Sequence, residues 1–258
     1  MSIEEDEFSS NLGKIEHWNE IYEQEIINYK DHGDVGEIWF GEDTQWKIIQ
    51  FIEDVLDLEK SKTIYDVGTG NAAFLISMAE EGYLNLYGSD YSPHSIQLCE
   101  SQISDKKNEG KISSDVNIIV VAADFLKDDI LNLLKVEPFD VVHDKGTFDA
   151  IQLRPGIDRN AYYYSLCKCV KQGGLFIITS CNWTEEELIR YFVRSEDKNE
   201  EKCEHQKEAT TEAKKDSKED KKMTETTGFA VFNHIPHKTF EFGGKIGSVV
   251  STVIFKKL

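Results

Sequence analysis

The chain has 258 residues, a length that suits one large domain with a full α/β core, and 40% of them are apolar and 11% aromatic. A formal net charge of −19 argues against a nucleic-acid groove, which needs a concentrated basic surface, and suits either a basic partner or simple solubility. Cys99, Cys167, Cys169, Cys181 and Cys203 form no CxxC pair and no even framework, so a reduced, intracellular setting is expected, with neither a zinc site nor a disulfide scaffold.

Residues 1–13 start acidic, Met1-Ser2-Ile3-Glu4-Glu5-Asp6-Glu7, and read as a disordered, solvated tail without the basic segment and apolar core of a signal peptide. No apolar run reaches membrane-spanning length. From residue 14 a single domain is expected. Ile15, Trp18, Ile21 and Tyr22 recur at helical spacing and open an amphipathic helix. Asp34 to Glu42 is a glycine-punctuated loop carrying Trp39 and Phe40, a candidate ligand lid, ahead of a helix predicted from Thr44 to Leu56. Residues 14–60 thus form N-terminal helices and a lid.

From Thr63 strands and helices alternate, which implies a mostly parallel sheet with helices on both faces. Strands are predicted at 63–67, 86–89, 116–121, 139–143 and 174–180, and helices at 72–81, 92–107, 129–134, 159–170 and 184–192. Ser92-Pro93 supplies a capping hydroxyl and a proline at the first helical position. Residues 195–227 hold eleven acidic and eight lysine side chains with almost nothing to bury, the composition of a disordered insertion. Beyond it, 238–242, a Gly243-Gly244 turn and 247–255 read as a closing antiparallel hairpin.

The chemistry is carried by strand ends. Asp66-Val67-Gly68-Thr69-Gly70-Asn71-Ala72 follows an apolar strand, and Asp90 closes the next strand twenty residues past Gly70, the layout of a nucleotide cradle. A dinucleotide would set a doubly anionic pyrophosphate at this turn, where Asp66 repels it. S-adenosylmethionine instead offers a cationic ammonium and sulfonium, which a carboxylate attracts. Asp90 is placed to accept from both ribose hydroxyls. After the third strand, Asp124 is placed to accept from the adenine amine and Phe125 to face its ring, unless Asp124 merely caps a helix. After the fourth, Asp144 lies where a carboxylate can orient an incoming amine, unless it pairs with Lys145. Trp39, Phe40 and Trp183 sit on loops and are candidates to line a channel. His143 stands nearest the crevice, and His234 with His237 lacks a third ligand, so no metal is expected.

Three segments, Gly36-Glu37-Ile38-Trp39-Phe40-Gly41-Glu42, Asp144-Lys145-Gly146-Thr147-Phe148-Asp149-Ala150 and Ser180-Cys181-Asn182-Trp183-Thr184, together resemble the protein-lysine methyltransferases that modify translation elongation factor 1A, in particular the branch known as methyltransferase-like protein ten. The resemblance spans nearly the whole chain outside the tail and the insertion. It implies a Rossmann-like, seven-stranded class I methyltransferase sheet, S-adenosylmethionine as cofactor, a basic protein substrate and a cytoplasmic monomer. It implies that Asp144, Asn182 and Trp183 serve catalysis, and that Trp39, Asp66, Gly68, Gly70, Asp90, Asp124, Phe125 and Asp144 hold the cofactor. The Asp-Lys-Gly-Thr segment also occurs in siblings acting on other lysines or on the N-terminal amine of the same factor. A small-molecule or RNA methyltransferase and a silent adaptor are the competing readings. RNA is disfavoured by charge, a small-molecule enzyme by the short N-terminus, and an adaptor by the intact set of ligand contacts.

Overall fold

The computed structural model describes residues 10–194, 228–242 and 245–258, so the expected tail up to residue 9, the 195–227 insertion and the Gly243-Gly244 turn lie outside the described residues. Seven strands form one sheet: β1 (Thr63–Val67), β2 (Asn85–Asp90), β3 (Asn117–Ala122), β4 (Phe139–Lys145), β5 (Val170–Ser180), β6 (Phe229–Ile235) and β9 (Ser251–Lys257), in the order β3-β2-β1-β4-β5-β9-β6. The first five run parallel, while β9 pairs antiparallel with both β5 and β6. Strand order reverses between β1 and β4, the point at which an open α/β sheet splits to admit a ligand.

The closing hairpin differs from expectation. Thr239–Phe242 (β7) pairs with Lys245–Ser248 (β8) in a separate two-stranded ribbon, and the strand that completes the sheet beside β9 is Phe229–Ile235. Sequence reasoning placed no strand at 229–235, because that segment alternates poorly; Phe229 and Ile235 are buried, but Val231 and Phe232 face solvent on an edge.

Helices cover both faces: α1 (Ile15–His32), α2 (Glu42–Gln50), α3 (Ala73–Glu80), α4 (Pro93–Asn108), α5 (Ile130–Leu134), α6 (Thr147–Gln152), α7 (Arg159–Cys169) and α8 (Glu185–Phe192). Alternation along each strand sends Ile64, Val141, Ile177 and Ile254 to the α2–α3 side, and Tyr65, Val142, Phe176 and Phe255 to the side packed by α7 and α8. Local chemistry sets the helix starts. Ser92 caps α4 with Pro93 in the first turn, and Thr184 with Glu187 forms a reciprocal capping box on α8. The helix expected through Leu56 leaves regular geometry at Phe51, where Phe51–Val55 continues as a wider turn. Helix α6 was not predicted at all, since Gly146 precedes it and Asp144 caps it from inside the strand before.

The last residues of the expected tail are ordered. Asn11–Gly13 make one tight helical turn capped by Ser10, and the Trp18 indole nitrogen donates to the Leu12 carbonyl at 2.7 Å.

Candidate functional site

Between the carboxyl ends of β1, β2 and β4 lies an open cleft lined by residues of all three strand ends, the place where open α/β sheets bind ligands. Its floor is the turn after β1. Gly68, Gly70 and Ala72 all adopt left-handed backbone, at φ of 63°, 59° and 60°. A β-carbon on Gly68 would meet the Thr147 hydroxyl at 2.1 Å, so that position tolerates glycine alone. Ala72 bears its side chain in the same backbone region, where L residues are strained.

Asp90 stands at the cleft wall, 7% exposed. One carboxylate oxygen accepts from the Ser92 amide at 2.9 Å and the other from the Gly70 amide at 3.2 Å, which fixes the carboxylate against the turn. Burial pushes its carboxyl up to about 6, against the opposing pull of those amides. An acceptor for two hydroxyls must be ionised. Affinity for an adenosyl cofactor is therefore expected to be flat above pH ~7 and to fall by up to about tenfold per unit below pH ~6, as calorimetry across that range would show. The sign for folding is opposite. An unfolded aspartate titrates near ~3.9, so the stability that protonated Asp90 contributes is present below that pH and lost as pH rises through about 6.

Asp124 and Phe125 also line the cleft. The Asp124 carboxylate accepts from the Leu126 amide at 3.0 Å and faces Lys127 at 3.0 Å and Arg154 at 3.7 Å, so it is a paired group at the rim. Phe125 is buried beside Tyr162 and Tyr65. Opposite them, Trp39 packs against Trp18 with ring centroids 5.1 Å apart and planes tilted by 53°, and both line the cleft together with Tyr22.

The loop that bears Trp39 is strapped down by side chains from three elements. The Asn71 amide donates to the Val35 and Glu37 carbonyls at 2.9 and 3.2 Å, Gln102 donates to Val35 at 2.9 Å, and the Lys145 ammonium donates to the Trp39 carbonyl at 2.8 Å. Burial lowers the Lys145 pKa, while Asp66 and Asp144 work against that. Phe40 holds left-handed backbone at φ 63°, and a β-carbon on Gly146 would meet its ring at 3.1 Å. A bulky residue in that region marks strain held in place by its surroundings.

Three expected site residues are placed elsewhere. Asp144 is fully buried: it accepts from the Thr147 and Phe148 amides and, at 2.7 Å, from the Tyr162 hydroxyl, so it caps α6 from below instead of facing an incoming amine. Its expected partner Lys145 points to the opposite face. Asp66 bonds His143 Nδ1 at 2.7 Å and borders a smaller side cavity, not the main cleft. Trp183 packs on Phe148 and Tyr191 at 5.2 and 5.7 Å and does not line the cleft. Asn182 remains exposed on the loop after β5, its amide held by the Ser180 hydroxyl at 3.1 Å, and that hydroxyl in turn donates to buried Asp149.

The N-terminal turn and α1 were not expected at the site. Leu12, Gly13, Trp18 and Tyr22 close one side of the cleft, so the short N-terminus does supply a helical lid. Trp18 and Tyr22 carried a readable signal, an aromatic pair four residues apart, but the same spacing describes any core-facing helix.

A methyltransferase-domain family model matches residues 58–228. EEF1A lysine methyltransferase 2 of Homo sapiens is 35% identical over 254 residues, covering 96% of this chain and 88% of that protein. This chain belongs to that methyltransferase family. The protein of the same name from Danio rerio is 34% identical over 98% of this chain and 91% of its own, and the protein-lysine N-methyltransferase efm4 of Schizosaccharomyces pombe is 29% identical over 96% and 94%. Among solved structures, magnesium protoporphyrin IX methyltransferase from Synechocystis PCC 6803 with bound SAH covers 95% of this chain and all of its own at a TM-score of 0.56 and 10% identity, a likeness of fold. The chain is thus a class I methyltransferase whose methyl donor is S-adenosylmethionine. The cleft fits that donor. It offers a fixed carboxylate for hydroxyls and apolar rings for a base.

Proposed function

We propose that this protein transfers a methyl group to a lysine ε-amine of translation elongation factor 1A. Full-length similarity to enzymes named for that reaction supports the substrate, and the aromatic loop strapped over the cleft is the observation that carries the reading. Bound S-adenosylmethionine supplies an electrophilic methyl group. Asp90 accepts from the ribose, Asp124 from the adenine amine, Phe125 and Trp39 provide apolar faces, and Gly68 and Gly70 let the backbone approach. Trp39 and Phe40 desolvate the entering amine, favouring its neutral form, and Asn182 offers an amide to orient it. Most of the acceleration then comes from holding nucleophile and methyl carbon in line, with little proton transfer by side chains.

The net charge of −19 suits a basic protein partner and disfavours nucleic acid. Among the described residues no helix is long and apolar enough to cross a membrane. The chain is read as a monomer working in the cytoplasm.

Incubation of the full chain with labelled S-adenosylmethionine and purified elongation factor 1A is expected to label a single lysine, identified by mass spectrometry. The KM for the protein substrate should rise several-fold as salt is raised from about 50 to 300 mM, because steering between opposite charges is screened. Label found in RNA or in small molecules, with elongation factor 1A unmodified, would overturn the reading.

A further inference from the structure

The segment from Asp34 to Gly41, which carries Trp39 and Phe40 to the cleft, lies in no helix or strand, so its backbone polar groups need partners from elsewhere. The Val35 and Glu37 carbonyls find no backbone donor among the described residues, and side-chain amides meet both of them instead. Asn71 is the hub. It stands on the turn after β1, 6% exposed, and lines the cleft. Its nitrogen donates to the Val35 carbonyl at 2.9 Å and to the Glu37 carbonyl at 3.2 Å, while its oxygen accepts from the Ala73 amide at 3.2 Å. Two carbonyls on one side and an N–H on the other fix which way this amide points. Gln102, buried on α4, donates to the same Val35 carbonyl at 2.9 Å, and Glu25 on α1 accepts from the Glu37 amide at 3.2 Å.

Both protons of the Asn71 amide are thus committed to the loop, which leaves the side chain no donor for a ligand in the cleft beside it. Its place on the donor's turn serves the loop. We propose that Asn71 is a positioning residue for the protein substrate: it brackets the aromatic loop to the turn that carries the methyl donor, so that Trp39 and Phe40 stand ordered at the mouth before the lysine arrives. This deepens the proposed function and rests on it. Asn71 acts through the loop and touches no reacting atom. A loop without its bracket has to be ordered as the protein substrate binds, and that lost entropy shows as weaker substrate binding, not as a slower chemical step.

Asn71→Asp separates the bracket from the helix cap. It keeps an oxygen for the Ala73 amide, has no proton to give, and sets a negative charge against two carbonyls. In the full chain this variant is expected to raise the KM for elongation factor 1A by about 5–30-fold, the worth of two neutral hydrogen bonds, with kcat nearly unchanged. Its affinity for S-adenosylmethionine, measured by calorimetry, should change by about threefold or less, since Asp90 and Asp124 are untouched. Hydrogen exchange at the amides of residues 34–41 should quicken about tenfold while the strand amides of β1 and β4 stay protected. Unchanged KM and unchanged loop exchange overturn the proposal. So does an equal loss of affinity for donor and protein, which would make Asn71 part of the donor's turn and nothing more. Should Asn71→Asp melt far below wild type, Gln102→Met takes its place, because it removes one bond to the same Val35 carbonyl from outside the turn. A rise in KM of about 2–10-fold with normal donor affinity is expected there, and an unchanged KM overturns the proposal. A wild-type chain that binds the donor but leaves elongation factor 1A unmodified brings down the proposed function itself, and the substrate role of Asn71 with it.

Discussion

Asp90→Ala is expected to weaken S-adenosylmethionine binding by on the order of 2–4 kcal/mol, or about 30- to 1,000-fold, because it removes the acceptor for two ribose hydroxyls and strands two backbone donors. Those donors are the Gly70 and Ser92 amides, so the turn after β1 loosens as the ribose contact is lost. Asp90→Asn separates the two effects. Its amide keeps one oxygen for a backbone donor, which preserves folding better, but offers the ribose a single acceptor in place of two. Calorimetry on folded protein decides the matter: Asp90→Ala binding the donor as tightly as wild type would remove Asp90 from the cofactor site.

The two tryptophans expected to line a channel should behave oppositely. Trp183 packs on Phe148 and Tyr191, next to Phe192 and Tyr162 in the core under α8. Trp183→Ala is expected to destabilise the fold by about 3 kcal/mol, the lower end of large aromatic truncations since the ring is only partly buried, with near-normal activity per folded molecule. Trp39 stands on the strapped loop at the cleft. Trp39→Ala should lower kcat/KM by about tenfold or more, through a less desolvated and less aligned amine, with a smaller change in melting temperature. Denaturant unfolding and initial rates on both variants check this. A Trp183→Ala protein of wild-type stability and little activity would return that residue to the channel.

The difference between these residues marks where sequence reading stops. The order of strands and helices, the glycine turn and the acid at the end of β2 were legible, because each depends on short-range chemistry: a run of apolar residues, a backbone that only glycine adopts without strain, a capping hydroxyl before a proline. Strand 229–235 and helix α6 were not. The first is an edge strand with a mixed pattern, and the second is capped by a carboxylate that lies on the preceding strand.

The direction of side chains at the strand ends was decided by tertiary structure alone. In a parallel sheet both faces are buried, so alternation along a strand says which residues share a face but not what each face meets. Asp144 shares a face with Val142 and is sealed under α6 by Tyr162, whereas Lys145, one residue on, shares a face with His143 and meets the aromatic loop. Asp66 turned to His143 for the same reason. By itself the sequence determined that a crevice lined by Gly68, Gly70, Asp90 and Asp124 would form at the carboxyl ends of the strands, because chain order and strand polarity bring those positions together. Only the packing of helices on each face decided that α1 would wall the crevice, that Trp183 would join the core, and that Lys145, not Asp144, would line the crevice.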